Sequence, residues 1–310
     1  MNSGIFNINI KKNKLFEKLC CFTQPELKNY LVQKLGMEKG DGWCYRQGTF
    51  PVLLTAHMDT VHKAQCKKVK YWMNKKEQKV VTSDVGIGGD DRCGIYMILK
   101  ILEKVDCFVL FCEDEEIGSV GARKFIKTDL CKNLKGKFKY IIELDRAHDR
   151  DAVFYDDDNK EFHKFITKEF WKEDYGSFSD ICVLSPEMGI SSVNLSCGYY
   201  GAHTTSESVI LDEMERSIEE TIKLLDRTDV NAEPYEYEEM RYSYSAYDNW
   251  YSLYDGVPKK RLFDEKILEV VLSDGTYLNM AGDSREECWM NLFMENPTVC
   301  FQDIVDYNYY

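Results

Sequence analysis

Two histidines and several carboxylates in this chain follow short apolar segments or paired glycines. The set consists of His57 and Asp59 in Ala-His-Met-Asp-Thr, Asp90 and Asp91 in Gly-Gly-Asp-Asp-Arg, Glu115 and Glu116 in Glu-Asp-Glu-Glu-Ile-Gly, Asp145 in Glu-Leu-Asp-Arg, and His203 in Gly-Ala-His-Thr. Imidazoles combined with carboxylates suit zinc, or cobalt or manganese in its place. Each piece alone is usually a surface or capping feature, so the prediction of a metal site depends on their joint occurrence in this order.

The elements that must position these residues can be read from the hydrophobic pattern. Short apolar runs at 52–56, 108–111 and 140–142 are typical of buried strands, and residues 93–102 and 120–126 have helical character. Strands that alternate with helices predict an α/β fold, a mixed β-sheet sandwiched by helices. In such sheets functional groups are expected just past the strand ends, which is where the candidate residues lie.

Helical spacing of apolar residues over 14–36 predicts two N-terminal helices separated at Pro25. The composition changes near Asp229, and a Tyr-rich acidic stretch follows before strand-like, turn and helix-like patterns return at 267–272, 273–275 and 285–294. We therefore predict a main domain over 1–230, a linker over 231–261 and a small C-terminal module over 262–310. Nothing in the sequence assigns chemistry to the linker or to the module.

Composition excludes several classes of function. The 310 residues hold 40 basic and 53 acidic side chains, a net charge of −13 that disfavours binding to nucleic acid or to a membrane surface. The longest apolar runs, such as 107–112, are about six residues, whereas a membrane span needs about 20. The first twenty residues lack the apolar region of a signal peptide, and the twelve cysteines contain no Cys-x-x-Cys pair. These features predict a cytoplasmic protein with reduced thiols.

Taken in order, the segments over residues 50–215 resemble the co-catalytic dinuclear zinc exopeptidases, a superfamily of aminopeptidases, tripeptidases and some deacylases. The resemblance implies a zinc-dependent peptidase domain with two zinc ions per chain. It implies these roles: His57 and Asp145 bind the first zinc, Glu116 and His203 bind the second, Asp90 bridges both, Asp59 orients His57, and Glu115 is the general base. No ligand position of the family is missing from the sequence.

General chemistry supports that division of roles. Two zinc ions roughly 3.5–4 Å apart share a water, lower its pKa and hold the scissile carbonyl oxygen. Neighbouring residues of an extended segment point to opposite sides. If Glu116 binds metal, Glu115 is then free to take the proton of the water and deliver it to the leaving amine.

The spacing narrows the substrate class. Family members with a lid or dimerisation domain insert it between the His-x-Asp pair and the bridging aspartate, or before the final histidine. Here those gaps are 31 positions, from Asp59 to Asp90, and 58 positions, from Asp145 to His203. Both are too short, which favours an aminopeptidase acting on peptides. The alternatives are a deacylase, dipeptidase or carboxypeptidase at the same site, or a non-catalytic scaffold that kept the fold.

Several further residues allow two interpretations. The segment 176–180, Gly-Ser-Phe-Ser-Asp, predicts either a helix cap or a contact with the amine of the substrate. Tyr199 or Tyr200 could donate a hydrogen bond to the oxyanion of the tetrahedral intermediate or could simply pack. The remaining histidines, which have no motif role, are His62, His148 and His163.

Overall fold

The computed structural model describes residues 12–240, 266–272, 276–282, 288–289, 292, 299 and 304–309. The chain divides into two compact units, Met1–Glu239 and Met240–Tyr310, and each has a hydrophobic core of its own. The domain boundaries predicted at 230 and 262 stay predictions. Most of the predicted Tyr-rich linker, 241–261, lies outside the described residues.

The first unit alternates strands and helices along the chain. Its elements are α1 Lys14–Cys20, α2 Gln24–Leu35, β1 Glu38–Lys39, β2 Trp43–Arg46, β3 Phe50–His57, β4 Lys70–Met73, β5 Lys79–Thr82, α3 Gly89–Ile101, β6 Cys107–Cys112, α4 Val120–Phe125, α5 Asp129–Leu134, β7 Ile141–Arg146, β8 Asp151–Val153, α6 Lys160–Ile166, β9 Lys172–Asp174, α7 Ile181–Met188, β10 Ser192–Ser196, β11 Tyr199–Tyr200, β12 Ser208–Ile210 and α8 Leu211–Asp226.

A central sheet of eight strands runs in the order β1-β2-β6-β3-β7-β10-β8-β9. Its middle strands β6, β3, β7 and β10 are parallel to one another, whereas β2 and β8 pair antiparallel with β6 and β10. The carboxyl ends of the parallel strands therefore meet at one edge, where ligands bind in open α/β sheets.

Helices cover both faces of this sheet because successive strand residues alternate between two hydrophobic cores. In β3, Val52 and Leu54 pack into the core that includes α1, α2, α3 and α8, whereas Leu53 packs into the core that includes α4, α5 and α7. All three side chains are fully buried. The predicted fold class, a mixed sheet sandwiched by helices, is confirmed.

The break between the two N-terminal helices does not lie at Pro25. Helix α1 ends at Cys20, and Pro25 lies inside the first turn of α2, where a missing amide hydrogen leaves no helical bond unmade. Glu26 supports this start, since its Oε2 accepts the amide of Thr23 at 2.9 Å. In the described part of the chain, no helix combines the length and hydropathy that crossing a membrane would require.

A second sheet, ordered β11-β12-β5-β4, brings two distant loops together. Its neighbouring strands are all antiparallel. Strand β5 leads into the glycine-rich start of α3, and β11 and β12 flank the loop 201–207. Pairing of β5 with β12 therefore places the residues around His203 beside the residues around Asp90.

The second unit contains a three-stranded antiparallel sheet in the order β14-β13-β15. Its strands are β13 Lys266–Leu272, β14 Tyr277–Gly282 and β15 Ile304–Tyr309. Leu268, Val270, Cys288 and Leu292 form a small core. The predicted turn at 273–275 lies outside the described residues, as does most of the predicted helix at 285–294.

Candidate metal centre

Separate segments of the first unit bring the sequence-predicted residues to the carboxyl edge of the central sheet. His57 is the last residue of β3, and Asp145 lies near the end of the neighbouring strand β7. The other segments are the turn after β6 with Glu115 and Glu116, the first turn of α3 with Asp90, and the loop between β11 and β12 with His203.

Asp90 lies between the two imidazoles. Its Oδ1 is 2.9 Å from Nε2 of His57, and its Oδ2 is 3.3 Å from Nε2 of His203. His57 Nε2 also lies 3.3 Å from Asp145 Oδ1, and His203 Nε2 lies 3.0 Å from Glu116 Oε2. One carboxylate thus offers one oxygen to each of two histidine–carboxylate clusters.

Asp59 links His57 to the turn that carries the adjacent glutamates. Its Oδ1 lies 3.1 Å from His57 Nδ1. The same carboxylate accepts the backbone amides of Glu115 and Glu116 at 3.0 and 3.1 Å. A single side chain therefore sets both the orientation of the imidazole and the position of the turn.

The two glutamates differ in their contacts, but not for the reason that the sequence suggested. Residues 113–119 form a turn and not an extended segment, so the assumption that strand alternation separates Glu115 from Glu116 is wrong. The Glu116 carboxylate contacts His203, whereas the Glu115 carboxylate forms no hydrogen bond with any described residue. The turn itself directs the two side chains differently.

Burial and charge strongly perturb the titration of the cluster. Burial raises the pKa of Glu116 to about 7, with the Asp90 carboxylate adding to the effect. Burial likewise raises the pKa of Asp145 to about 6, although His57 opposes it. For Asp90 burial is outweighed by its bonds to His203 and His57, so its pKa is lowered. The site therefore crowds more negative charge than its imidazoles neutralise.

The donor set fits a divalent cation. His57, Asp90 and Glu116 each offer a ligand atom within 4.8 Å of the others. Glu116 Oε1 is buried without a hydrogen-bond partner, which is a costly state unless a cation or proton neutralises it. Two imidazoles with carboxylates match the ligand chemistry of zinc. Asp91 is less suited as a ligand, because its oxygens accept the amides of His57 and Gly94.

A buried polar layer behind Asp145 was missed by the sequence analysis. Ser179 donates to Glu143 Oε2 at 2.6 Å, and its hydroxyl also lies 3.1 Å from Asp145 Oδ2. Asn194 Oδ1 accepts the amide of Asp145 at 3.0 Å. One signal was available for Glu143: it stands two residues before Asp145 and therefore on the same face of β7. Asp180, at the end of the segment 176–180, stands at the N-cap position of α7, but its side chain makes no capping hydrogen bond.

The two tyrosines proposed as oxyanion donors are already engaged. Tyr199 donates its hydroxyl to the carbonyl of Asp145 at 2.8 Å, and Tyr200 donates to Glu213 Oε2 at 2.6 Å. Both contacts are structural, so the oxyanion interpretation is wrong for this arrangement. Of the histidines without a motif role, His62 contacts Glu207 beside the site at 2.9 Å.

Comparison with solved structures identifies the fold. The chain is similar to aminopeptidase PepT from Bacillus cereus, with a TM-score of 0.54 and 16% identity over 69% of this chain and 96% of that one. It is also similar to a tripeptidase from Staphylococcus aureus, with a TM-score of 0.50 and 15% identity over 68% and 96% of the two chains. No family model matches the sequence, and no curated protein does. The fold predicted from the zinc-exopeptidase resemblance is confirmed.

Proposed function

We propose that the protein is a dinuclear zinc metallopeptidase and, within that class, an aminopeptidase that removes N-terminal residues from peptides. The observation that carries the proposal is the position of Asp90, whose two oxygens face Nε2 of His57 and of His203 at 2.9 and 3.3 Å. A carboxylate between two imidazoles is arranged to bind two cations at once. The fold shared with an aminopeptidase and a tripeptidase supports the same class.

Five side chains hold the metals in this proposal. The first zinc is bound by His57 and Asp145, the second by Glu116 and His203, and both by Asp90; cobalt or manganese suits the same donors. When bound, two zinc ions lower the pKa of a water and polarise the scissile carbonyl. Asp59 orients the imidazole of His57, because its contact with Nδ1 keeps Nε2 directed into the site.

Glu115 acts as the general base. Its carboxylate is not engaged by another described side chain, so an oxygen is available to accept a proton from the attacking water. Burial, supported by the neighbouring Glu116, raises the pKa of Glu115 above its ordinary value although His57 opposes the shift. A raised pKa makes Glu115 a stronger base toward the water, and the more basic leaving amine can still take the proton back from it.

The charge of the site favours a substrate with a free amino terminus. The ion pairs of Asp90, Asp145 and Glu116 are with the imidazoles of His57 and His203. Arg92 is buried beside the site, but its guanidinium donates to the carbonyls of Met58 and Asp59. The five carboxylates of Asp59, Asp90, Glu115, Glu116 and Asp145 exceed the four positive charges of two zinc ions by one. This remaining negative charge attracts an α-ammonium group and repels a C-terminal carboxylate, which supports an aminopeptidase over a carboxypeptidase.

Peptides are the partners that this proposal requires. The cytoplasmic location also belongs to the proposal, since the described cysteines are free thiols and most of them are buried, a state that a reducing compartment favours.

The test is hydrolysis of one peptide in two forms, with a free and with an acetylated N-terminus, by the zinc-loaded protein. We expect cleavage of the free form only, and a loss of about 10²–10⁴-fold in kcat for Glu115→Gln with zinc content unchanged. Asp114→Asn is the matched control. It removes a charge from the adjacent position but keeps an acceptor for Gln24, the contact that Asp114 makes at 3.0 Å.

Each other outcome points to a different function. Cleavage of the acetylated form would reassign the protein as a deacylase or carboxypeptidase. If neither form is cleaved while zinc is bound, the protein is a scaffold that kept the fold. Full activity in Glu115→Gln would refute the role of that residue.

A further inference from the structure

Glu207 is a fully buried carboxylate that no part of the proposed reaction uses. Its Oε2 accepts the amide of Gly88 at 2.8 Å and its Oε1 accepts the amide of Asp90 at 3.0 Å. Nε2 of His62 donates to Oε2 at 2.9 Å. Every oxygen of this side chain is therefore bonded inside the protein, and two of its three partners are backbone groups at the start of α3.

These bonds join three segments that are far apart in the sequence. His62 lies in the loop that follows β3, Asp90 begins α3, and Glu207 ends the loop that carries His203. The packing at this junction is tight. A Cβ added at Gly89 would lie 3.3 Å from Glu207 Oε1 and only 2.8 Å from a side-chain methyl of Val209. The glycine therefore lets the backbone approach the carboxylate closely.

His203 depends on this junction more than the other candidate ligands do. His57 and Asp145 lie in β3 and β7, inner strands of the central sheet with a neighbouring strand on either side. His203 instead lies in a loop of mostly exposed residues, its side chain is 42% exposed, and its φ of 63° is in the left-handed region that disfavours a histidine. Such a conformation persists only where the surroundings hold it, and Glu207 is the buried residue that ends the loop.

We propose that Glu207, supported by His62, is a positioning residue that determines the affinity of the second metal position. The inference rests on the proposed dinuclear centre. Glu207 holds the backbone of Asp90 and the end of the His203 loop in one arrangement, so that both side chains face Glu116. Without this carboxylate, the backbone of Asp90 and the end of the His203 loop are no longer held in place at the second metal position. The first position, formed by His57 and Asp145 on strands, stays intact.

The experiment is a zinc titration of the metal-free full chain in competition with a chromophoric chelator, which resolves the two binding steps without any activity measurement. For Glu207→Gln we expect an unchanged first step and a second step weakened by about 10–100-fold, the usual cost of losing a residue that supports a metal ligand. His203→Ala serves as the reference for a protein that lacks the second position.

Asp157→Asn is the matched control. Asp157 is also a buried carboxylate that accepts backbone amides, those of Asn159 and Ser192, but its partner Ser192 lies at the amino end of β10. We expect this variant to lose stability while both zinc affinities stay at the wild-type value. A purely structural role for Glu207 predicts that the two variants behave alike.

His62→Ala keeps the result decisive if Glu207→Gln does not fold. It removes one of the three bonds and should weaken the second step in the same direction by a smaller factor. Unchanged second-step affinity in both variants, or equal weakening of both steps, would overturn the inference. A wild-type chain that binds fewer than two zinc ions would instead overturn the proposed centre, and this inference with it.

Discussion

Asp180→Asn should stabilise the metal-free protein, although it alters a residue beside the candidate site. Asp180 is fully buried at the start of α7. Burial is the main cause that raises its pKa from 3.8 to about 7, and His57 and Ser119 offset only part of it. Ionising this carboxyl therefore costs more free energy in the folded protein than in the unfolded chain.

The shift from 3.8 to about 7 is about 3 pH units, and each unit corresponds to about 1.36 kcal/mol. The sign follows from linkage. The contribution of protonated Asp180 to the unfolding free energy is fully present below the pKa of the unfolded chain. It is lost as the pH rises through the pKa of the folded protein. Asparagine has nearly the same shape and never ionises. The variant should gain on the order of 4 kcal/mol in unfolding free energy at pH 8, and about 0.5 kcal/mol at pH 4.

The assay is urea unfolding in the presence of a chelator at pH 4, 6 and 8, with the free energy taken by linear extrapolation. Asp129→Asn is the control, because its carboxylate is exposed and its pKa is lowered by the bond with Lys132, so no gain is expected. A gain for Asp180→Asn that is equal at pH 4 and pH 8, or a loss at pH 8, would refute the reasoning. With zinc bound the gain should shrink, since nearby cations favour the ionised carboxylate.

Further predictions concern the metal, the support of His57 and the core. Removal of metal by a chelator should lower the midpoint of thermal unfolding, and zinc at about 100 times its Kd should restore about 2.7 kcal/mol; an unchanged midpoint would contradict a bound metal. Asp59→Asn should keep the circular dichroism of the fold while chelator competition shows zinc affinity reduced about 10–100-fold, and wild-type affinity would exclude its orienting role. Phe125→Ala should lower the unfolding free energy by about 3–5 kcal/mol, because the ring is fully buried against Trp43 at 5.2 Å between centroids. A loss below about 1 kcal/mol in urea unfolding would show that this core collapses into the cavity.

Much of the fold could be predicted because its signals are local. The apolar run predicted at 108–111 became β6, Cys107–Cys112, and the run at 140–142 became the first part of β7, Ile141–Arg146. The regular part of helix α3 starts close to the predicted residue Cys93, because the backbone of Asp90 and Asp91 in its first turn is not helical. The N-terminal break was displaced from Pro25, since proline is tolerated in a first turn.

Part of the candidate site could likewise be predicted from local signals, and part of it could not. The sequence determined which side chains were available, and His57, Asp90, Glu116, Asp145 and His203 do meet at the carboxyl edge of the sheet. Parallel strands bring their carboxyl ends together whatever their side chains are, which was enough to expect His57 and Asp145 to meet. The pairing of β5 with β12 in the second sheet brings His203 beside Asp90. The different surroundings of Glu115 and Glu116 come from a turn that the sequence did not reveal.

What the sequence determined by itself was the inventory of ligands and the α/β pattern, because residue type and short-range periodicity are properties of neighbouring positions. Only the tertiary structure decided that Glu143 and Asn194 would lie behind Asp145, and that Glu207 would bond to Asp90, which is 117 positions away. Such pairs follow no local pattern. A buried carboxylate is stable only where donors converge on it, and that convergence exists only once separate strands and loops have packed together.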